Sequence, residues 1–321
     1  MLSDFGELDQ PVGTTFIDGA LLRCIGLYCP HLAKLHMRLD DETNPDITSA
    51  SFEAMIKGIP MLEELRLADY YKPNDFLRMI GLHCPNLRYM HIKYIDCCND
   101  DNFTATCRGC PLIESLIVKG LENVLYTMLV TDISMLTLAA SCHLLSELHI
   151  FDNNLITDSS LCVLFTASVH LTSVKLTDLK NVTDKAILTL LRCSQLKALT
   201  LGGCPRVTDY SVLAVATHCP LLQSLALWDI PSLTHETIVQ VSRYCKQLRT
   251  LNICSCDKVN NTTVIEVLGI CKHLTKLSIR STNITFTDEF KAQCDQLASA
   301  RHYRALRLKY EKFIHNSVIS Y

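Results

Sequence analysis

A phrase that in its best copies reads Cys-Pro-x-Leu-x-x-Leu-x-Leu recurs ten times along this chain, beginning at Cys29, Ile59, Cys84, Cys110, Cys142, Ser168, Cys193, Cys219, Cys245 and Cys271. Successive starts lie 30, 25, 26, 32, 26, 25, 26, 26 and 26 residues apart. A fixed period in the twenties marks a repeated supersecondary unit, and one such unit cannot bury its apolar face alone, so the units must stack. Within a period the pattern splits in two. Val182-Thr183-Asp184 precedes Ala186, Ile187, Leu190 and Leu191 at helical spacing, with Thr183 or Asp184 placed to cap the helix start. Leu196, Leu199 and Leu201 then follow, the last two alternating around Thr200 as in a strand. Stacked helix-plus-strand units predict an α/β solenoid of about ten repeats, with parallel strands lining a concave face and helices a convex one.

The segment Leu201-Gly202-Gly203-Cys204-Pro205-Arg206-Val207-Thr208-Asp209, running on to Cys219-Pro220-Leu221-Leu222, resembles the cysteine-containing subclass of leucine-rich repeats over roughly Phe16 to Leu297. The resemblance implies a right-handed α/β horseshoe. It also implies a protein-binding module of the kind found in the substrate-binding domains of F-box/LRR proteins and in stand-alone proteins similar to mitotic-exit antagonists. On the first likeness the chain recognises substrates for an SCF-type, cullin-based ubiquitin ligase, with a Skp-type adaptor and a cullin as partners. On the second it is an LRR inhibitor or scaffold with no part in ubiquitination. The expected organisation is an N-terminal segment 1–15, a solenoid 16–297 and a C-terminal helical cap or tail 298–321. No F-box is visible, because Phe16 to Leu22 already reads as the helical half of a repeat ending at Cys29. The chain is therefore expected to be either a fragment or isoform lacking an F-box, or a complete protein whose first helix serves as a cap.

Composition bears on what else the chain can be. No stretch is long or apolar enough to span a bilayer, and Met1 to Glu7 lacks the basic start and apolar core of a secretory signal. A cytoplasmic or nuclear protein without membrane partners is expected. The net charge of −3 argues against a general nucleic-acid role. Eight of the seventeen cysteines recur at the first position of the phrase, where a small apolar side chain fits between helix and strand. Cys204 and Cys256 share a second position with Asn153. The cluster Cys97, Cys98, Cys107 and Cys110 includes a Cys-x-x-Cys, but Cys110 is already committed to the repeat core, so no metal is expected there. Phosphate-binding loops, nucleophile elbows and His-Glu-x-x-His pairs are missing, so neither enzymatic activity nor a cofactor is expected.

Function is therefore sought on the strands. The residue between the last two apolar strand positions reads His36, Arg66, His91, Ile117, His149, Lys175, Thr200, Ala226, Asn252 and Ser278 in turn. Two positions further on the column reads Arg38, Ala68, Lys93, Lys119, Phe151, Thr177, Gly202, Trp228, Cys254 and Arg280. Strands about 4.8 Å apart would gather the basic groups of the first six repeats into one band that suits an acidic or phosphorylated peptide. Glu64, Glu147, Asp69, Asp152 and Asp178 stand close enough to neutralise part of it. His36, His91 and His149 fall on nonadjacent strands, too far apart to share an ion. Trp228 is either a binding anchor or a ring packed on the next strand. The candidate partner-binding residues are thus His36, Arg38, Arg66, His91, Lys93, Lys119, His149, Phe151, Lys175, Trp228 and Arg280. Two departures from the period, the acidic insert Leu39 to Asp46 and the apolar run within Leu121 to Thr131, are expected to leave the stack as loops. The second either folds back on the solenoid or meets a partner.

Overall fold

The computed structural model describes residues 18–38, 47–70, 75–95, 99–119, 130–280, 283–285, 287–300 and 307–309. Helix and strand alternate throughout. In chain order the pairs are α1 Gly19–Tyr28 with β1 Lys34–Arg38, α2 Ser49–Gly58 with β2 Glu64–Tyr70, α3 Phe76–His83 with β3 Tyr89–Ile95, and α4 Asp100–Gly109 with β4 Ser115–Lys119. They continue as α5 Asp132–Ser141 with β5 Glu147–Phe151, α6 Asp158–Ala167 with β6 Ser173–Thr177, α7 Asp184–Thr189 with β7 Ala198–Thr200, and α8 Asp209–His218 with β8 Ser224–Ala226. The last three are α9 His235–Tyr244 with β9 Thr250–Asn252, α10 Asn261–Ile270 with β10 Lys276–Ser278, and α11 Asp288–Ala300 with β11 Arg307–Lys309. The strands form one parallel sheet in sequence order, β1 to β11. This is an α/β leucine-rich repeat solenoid.

Strictly in-phase register follows from the repeat. Leu65 pairs with Met90, Leu116 with Leu148 and Leu199 with Leu225, so each apolar strand position stacks on its equivalent. These side chains point to one interior with the inner helix faces, where Leu65, Leu116, Leu148, Leu164, Leu190 and Val267 are fully buried. The sheet runs one strand past the ten phrases. Ala300 to Phe313 reads as a helix-favouring stretch, yet Arg307–Lys309 forms β11, because Leu306-Arg307-Leu308 repeats the alternation of the strand phrase and Leu308 registers with Leu277.

The helix starts resolve the role of the Thr-Asp pair. Thr183 caps α7 by accepting from the Lys185 N–H, and Asp184 reaches instead to the next repeat, taking Thr208 N–H at 2.8 Å and the Thr208 and Ser211 hydroxyls at 2.5 Å each. Asp132 does the same for Thr157 and Ser160, Asp100 for Thr131 and Ser134, Asp158 for Thr183, and Asp209 for Thr234. Burial opposes the ionised form of Asp100, but the bonds from Ser134 and Thr131 outweigh it and hold this carboxyl below its usual range.

The cysteines bear out the packing reading, with one exception. Cys84, Cys110, Cys142, Cys193, Cys219, Cys245 and Cys271 are buried, each at the end of a helix. Cys110 Sγ lies 3.2 Å from the Cys84 carbonyl and Cys142 Sγ 3.5 Å from that of Cys110, so the thiols point to carbonyls of the preceding repeat. Burial pushes the Cys84 thiol up to about 12 and those of Cys193 and Cys219 to about 11, which leaves them inert. Cys29 is exposed, since no described repeat precedes it. At the second position Asn153 Oδ1 accepts from Leu155 and Ile156 N–H, whereas Cys256 Sγ lies 3.0 Å from the Leu227 carbonyl. Cys97 and Cys98 lie outside the described residues, as do the insert at 39–46 and residues 121–129 of the second one.

Two helix pairs approach through facing glycines. A Cβ on Gly58 would fall 1.9 Å from the Gly26 carbonyl oxygen, and one on Gly109 would fall 1.8 Å from that of Gly81. Between these pairs α2 and α3 meet instead through Phe52 and Phe76, edge to face with centroids 5.3 Å apart.

The Asp ladder predicts that Asp132→Ala, which strands the Thr157 N–H and two hydroxyls, lowers unfolding free energy by about 2 kcal/mol. A fall in the urea midpoint measures it. Asp132→Asn, which keeps both oxygen and shape, should lose less.

Candidate functional site

Register turns both sequence columns into rows of neighbours. His36 pairs with Arg66, Arg66 with His91, His91 with Ile117, Ile117 with His149 and His149 with Lys175. The second row runs Arg38, Ala68, Lys93, Lys119, Phe151, Thr177 through the same pairings. It continues beyond the strand ends through Asp178 N–H to the Gly202 carbonyl at 2.9 Å and Gly203 N–H to the Trp228 carbonyl at 3.0 Å. A third row, two residues earlier, carries Lys34, Glu64, Tyr89, Ser115, Glu147 and Ser173. The candidate residues therefore share one concave surface.

Their environments differ. His36, Arg38 and Arg280 are exposed, and Arg66, Lys93, Lys119, Phe151, Lys175 and Trp228 are half-buried. His91 and His149 do not belong to the cationic band as the sequence suggests. They retain only 8% and 2% exposure, in the same row as buried Ile117. Burial first, and then neighbouring charge from Arg66 for His91 and Lys175 for His149, lowers these imidazoles from 6.5 to about 4 and about 2. His149 Nε2 lies 3.0 Å from Ser173 Oγ and 3.1 Å from Glu147 Oε1, and His91 Nε2 lies 3.3 Å from Ser115 Oγ. Both rings are neutral, and each stands beside one serine hydroxyl of the third row.

Neutralisation centres on Glu64. Its carboxylate receives Lys34 Nζ at 3.1 Å, His36 Nε2 at 2.9 Å and Arg66 Nε at 2.8 Å. Burial works against its ionisation, yet these hydrogen bonds and the Arg66 charge bring it from 4.5 down to about 2. The Asp69 side chain lies outside the described residues. The acids Asp152 and Asp178 stand in a series that sequence reading passes over. Asp152, Asp178, Gly203, Asp229 and Ser255 all have φ between 54° and 67° and occupy one position just past the strand. They form a rim beside the second row, acidic at three of its five places. The only signal in the sequence is their constant place before Asn153, Leu179, Cys204, Ile230 and Cys256.

Among the larger side chains, Lys119 Nζ lies 6.0 Å from the Phe151 ring centroid, and Phe151 meets His149 edge to face at 6.4 Å. The Trp228 indole lies flat on Gly202, where an added Cβ would come within 1.9 Å of its Cε2. The ring is packed on the neighbouring strand while one side stays open to solvent.

A family model described as F-box/LRR-repeat protein 18, LRR, matches residues 124–305, more than half of the chain. The chain belongs to this F-box/LRR-repeat protein 18 LRR family. Its LRR fold is shared at low identity with solved structures. A chain of the Rad7 and Elc1 complex in yeast is 17% identical, with a TM-score of 0.60 over 84% of this chain and 75% of that one. An internalin, inlF, from Listeria monocytogenes is also 17% identical, with a TM-score of 0.47 over 79% of this chain and 70% of that one. No curated protein matches the chain. The family match begins at residue 124, so β5 to β10 lie within it and β1 to β4 precede it.

The buried histidines set an acid dependence. An unfolded histidine protonates near 6.5, whereas His149 stays neutral to about 2 and His91 to about 4, so the unfolded chain binds more protons and stability falls as pH drops below about 6.5. His149→Gln should flatten that fall between about pH 6.5 and 4, read from urea midpoints across the range.

Proposed function

We propose that this chain is a substrate-recognition module for a cullin-based ubiquitin ligase, binding a protein partner across its concave face and holding it for modification by another subunit. The observation that carries this reading is membership of an F-box/LRR family, joined to a concave surface with charged and aromatic side chains in continuous rows. The Rad7 and Elc1 complex, which contains the chain of similar fold, is support by likeness. The module's work is positional: it raises the effective concentration of the bound protein near the transferring enzyme and catalyses nothing itself. The chain acts in the cytoplasm, the nucleus or both, with a Skp-type adaptor and a cullin in its complex. A stand-alone LRR inhibitor or scaffold is the second reading, supported by the same continuous rows of charged and aromatic side chains, which a partner can cover without a ligase.

Affinity purification of the chain from its own cells, with mass spectrometry scored for the adaptor and the cullin, separates the two. Recovery of both supports the ligase. Their absence beside one stoichiometric partner supports the scaffold. In either case Arg66→Glu with Lys93→Glu and Lys175→Glu should weaken capture of the bound protein by about tenfold or more. Trp228→Ala should weaken capture much more than it lowers the urea midpoint if the indole is an anchor. Equal losses in both would leave it a packing residue.

A further inference from the structure

The Asp ladder changes chemistry at one boundary. The first helix residue is Asp in α4 to α8, His235 in α9 and Asn261 in α10. Each of those aspartates takes the N–H of the next helix's cap, as Asp209 takes that of Thr234 at 3.0 Å. Asn261 resumes the tie with an amide, accepting the Thr285 N–H at 2.9 Å and donating to the Thr285 carbonyl at 2.8 Å. His235 instead places Nδ1 2.9 Å from Thr263 Oγ1 and Nε2 3.5 Å from Glu266 Oε1. The cap of α10 closes on itself, with the Asn260 N–H going to Thr263 Oγ1 at 3.2 Å and the Thr263 N–H to Asn260 Oδ1 at 3.1 Å. The N–H that elsewhere binds a helix to its predecessor is thus used inside α10. This helix also carries Gly269 in its last turn, where an added Cβ would meet nothing within 4 Å, unlike the glycines through which α1 meets α2 and α3 meets α4. No close approach calls for it, and glycine weakens a helix relative to alanine. From β6 onward each strand pair spans three residues, so the sheet does not mark this boundary and the helix tie does.

We propose that α10, β10 and α11 form one opening unit, bounded at His235, which separates from α9 while the rest of the solenoid stays folded. The stability of a stacked chain is close to a sum of unit and nearest-neighbour terms, so its end detaches at the interface with the weakest tie. Asp184 receives an N–H and two hydroxyls in charge-assisted bonds, whereas His235 meets one hydroxyl that Asn260 already engages. Beyond the boundary the Asn261 rung joins α10 to Thr285, just ahead of α11, so the two helices move together. The concave face then has two lengths. Closed, its rows run to Ser278 on β10, with Arg280 past the strand end. Open, they end on β9 at Asn252, and Trp228 and Cys254 stay with the fixed part. A partner segment that reaches beyond β9 holds the unit closed, and one that stops at Trp228 leaves it free to open.

Hydrogen–deuterium exchange of the full chain, read by mass spectrometry on peptides from each helix, tests this. Peptides of α10 and α11 should share one opening constant, with α8 and α9 more protected by about tenfold. His235→Asp with Glu266→Gln restores the carboxylate and removes the acid facing it. It should slow α10 and α11 together by about tenfold and leave α5 to α8 unchanged. Gly269→Ala should slow both by about threefold. Asp209→His, which moves the imidazole one boundary back, should add α9 to the fast unit in a chain that circular dichroism shows to be folded. Should that variant fail to fold, the repaired rung still decides. Protection that rises evenly inward from α11, or α10 as protected as α9 while α11 alone exchanges fast, overturns the proposal. So does a repaired rung that leaves the α10 rate unchanged.

Discussion

The carboxylate that opens one helix and closes on the start of the next is the contact from which much else in this solenoid follows. A helix leaves its first N–H groups without partners, and a threonine cap satisfies only part of them. Here Asp100, Asp132, Asp158, Asp184 and Asp209 each reach across to the following repeat, so the starts of α5 to α9 are each tied to the preceding helix by a charged acceptor. From α4 to α9 these bonds help to fix helix-to-helix phase, and the strands β4 to β9 that follow those helices stand in register as continuous rows. The thiols act at the other helix end. Cys110 and Cys142 point to carbonyls of the preceding repeat, and α5, whose start is held by Asp100 and whose end carries Cys142, is thereby tied to its predecessor at both ends.

The concave face inherits its chemistry from that phase-locking, and depth decides which side chains carry charge. Arg66 and Lys93 stand above the floor, whereas His91 and His149 are sunk into it and stay neutral. A single carboxylate, Glu64, holds three basic groups at the amino-terminal end and neutralises part of their charge. Toward the carboxyl-terminal end the character changes to small neutral residues around an indole laid on glycine, bordered by an acidic rim.

Much of this architecture was legible in the sequence, because the repeat states it ten times. The period gave the stacking, the leucine spacing gave the strands, and the predicted rows match the observed pairing residue for residue from His36 to Lys175. Legibility ended where a property depends on neighbours two strands away. Nothing local distinguishes exposed His36 from buried His149, since burial is set by the rows on either side. The rim of Asp152, Asp178 and Asp229 was hidden for another reason: its members are defined by a left-handed backbone, and Asp, Gly and Ser all serve there. The eleventh strand was masked by a basic, helix-favouring context around Leu306-Arg307-Leu308.

The facing glycines Gly26 with Gly58 and Gly81 with Gly109 have a geometric effect at a distance. A solenoid of this class bends because its helices, usually packed 8–10 Å apart, take more room than strands about 4.8 Å apart. Where two helix backbones touch without side chains between them, that mismatch shrinks and the bend relaxes. The stretch from β1 to β4 should therefore be the flattest part of the inner surface, presenting Arg38, Ala68, Lys93 and Lys119 as a shelf.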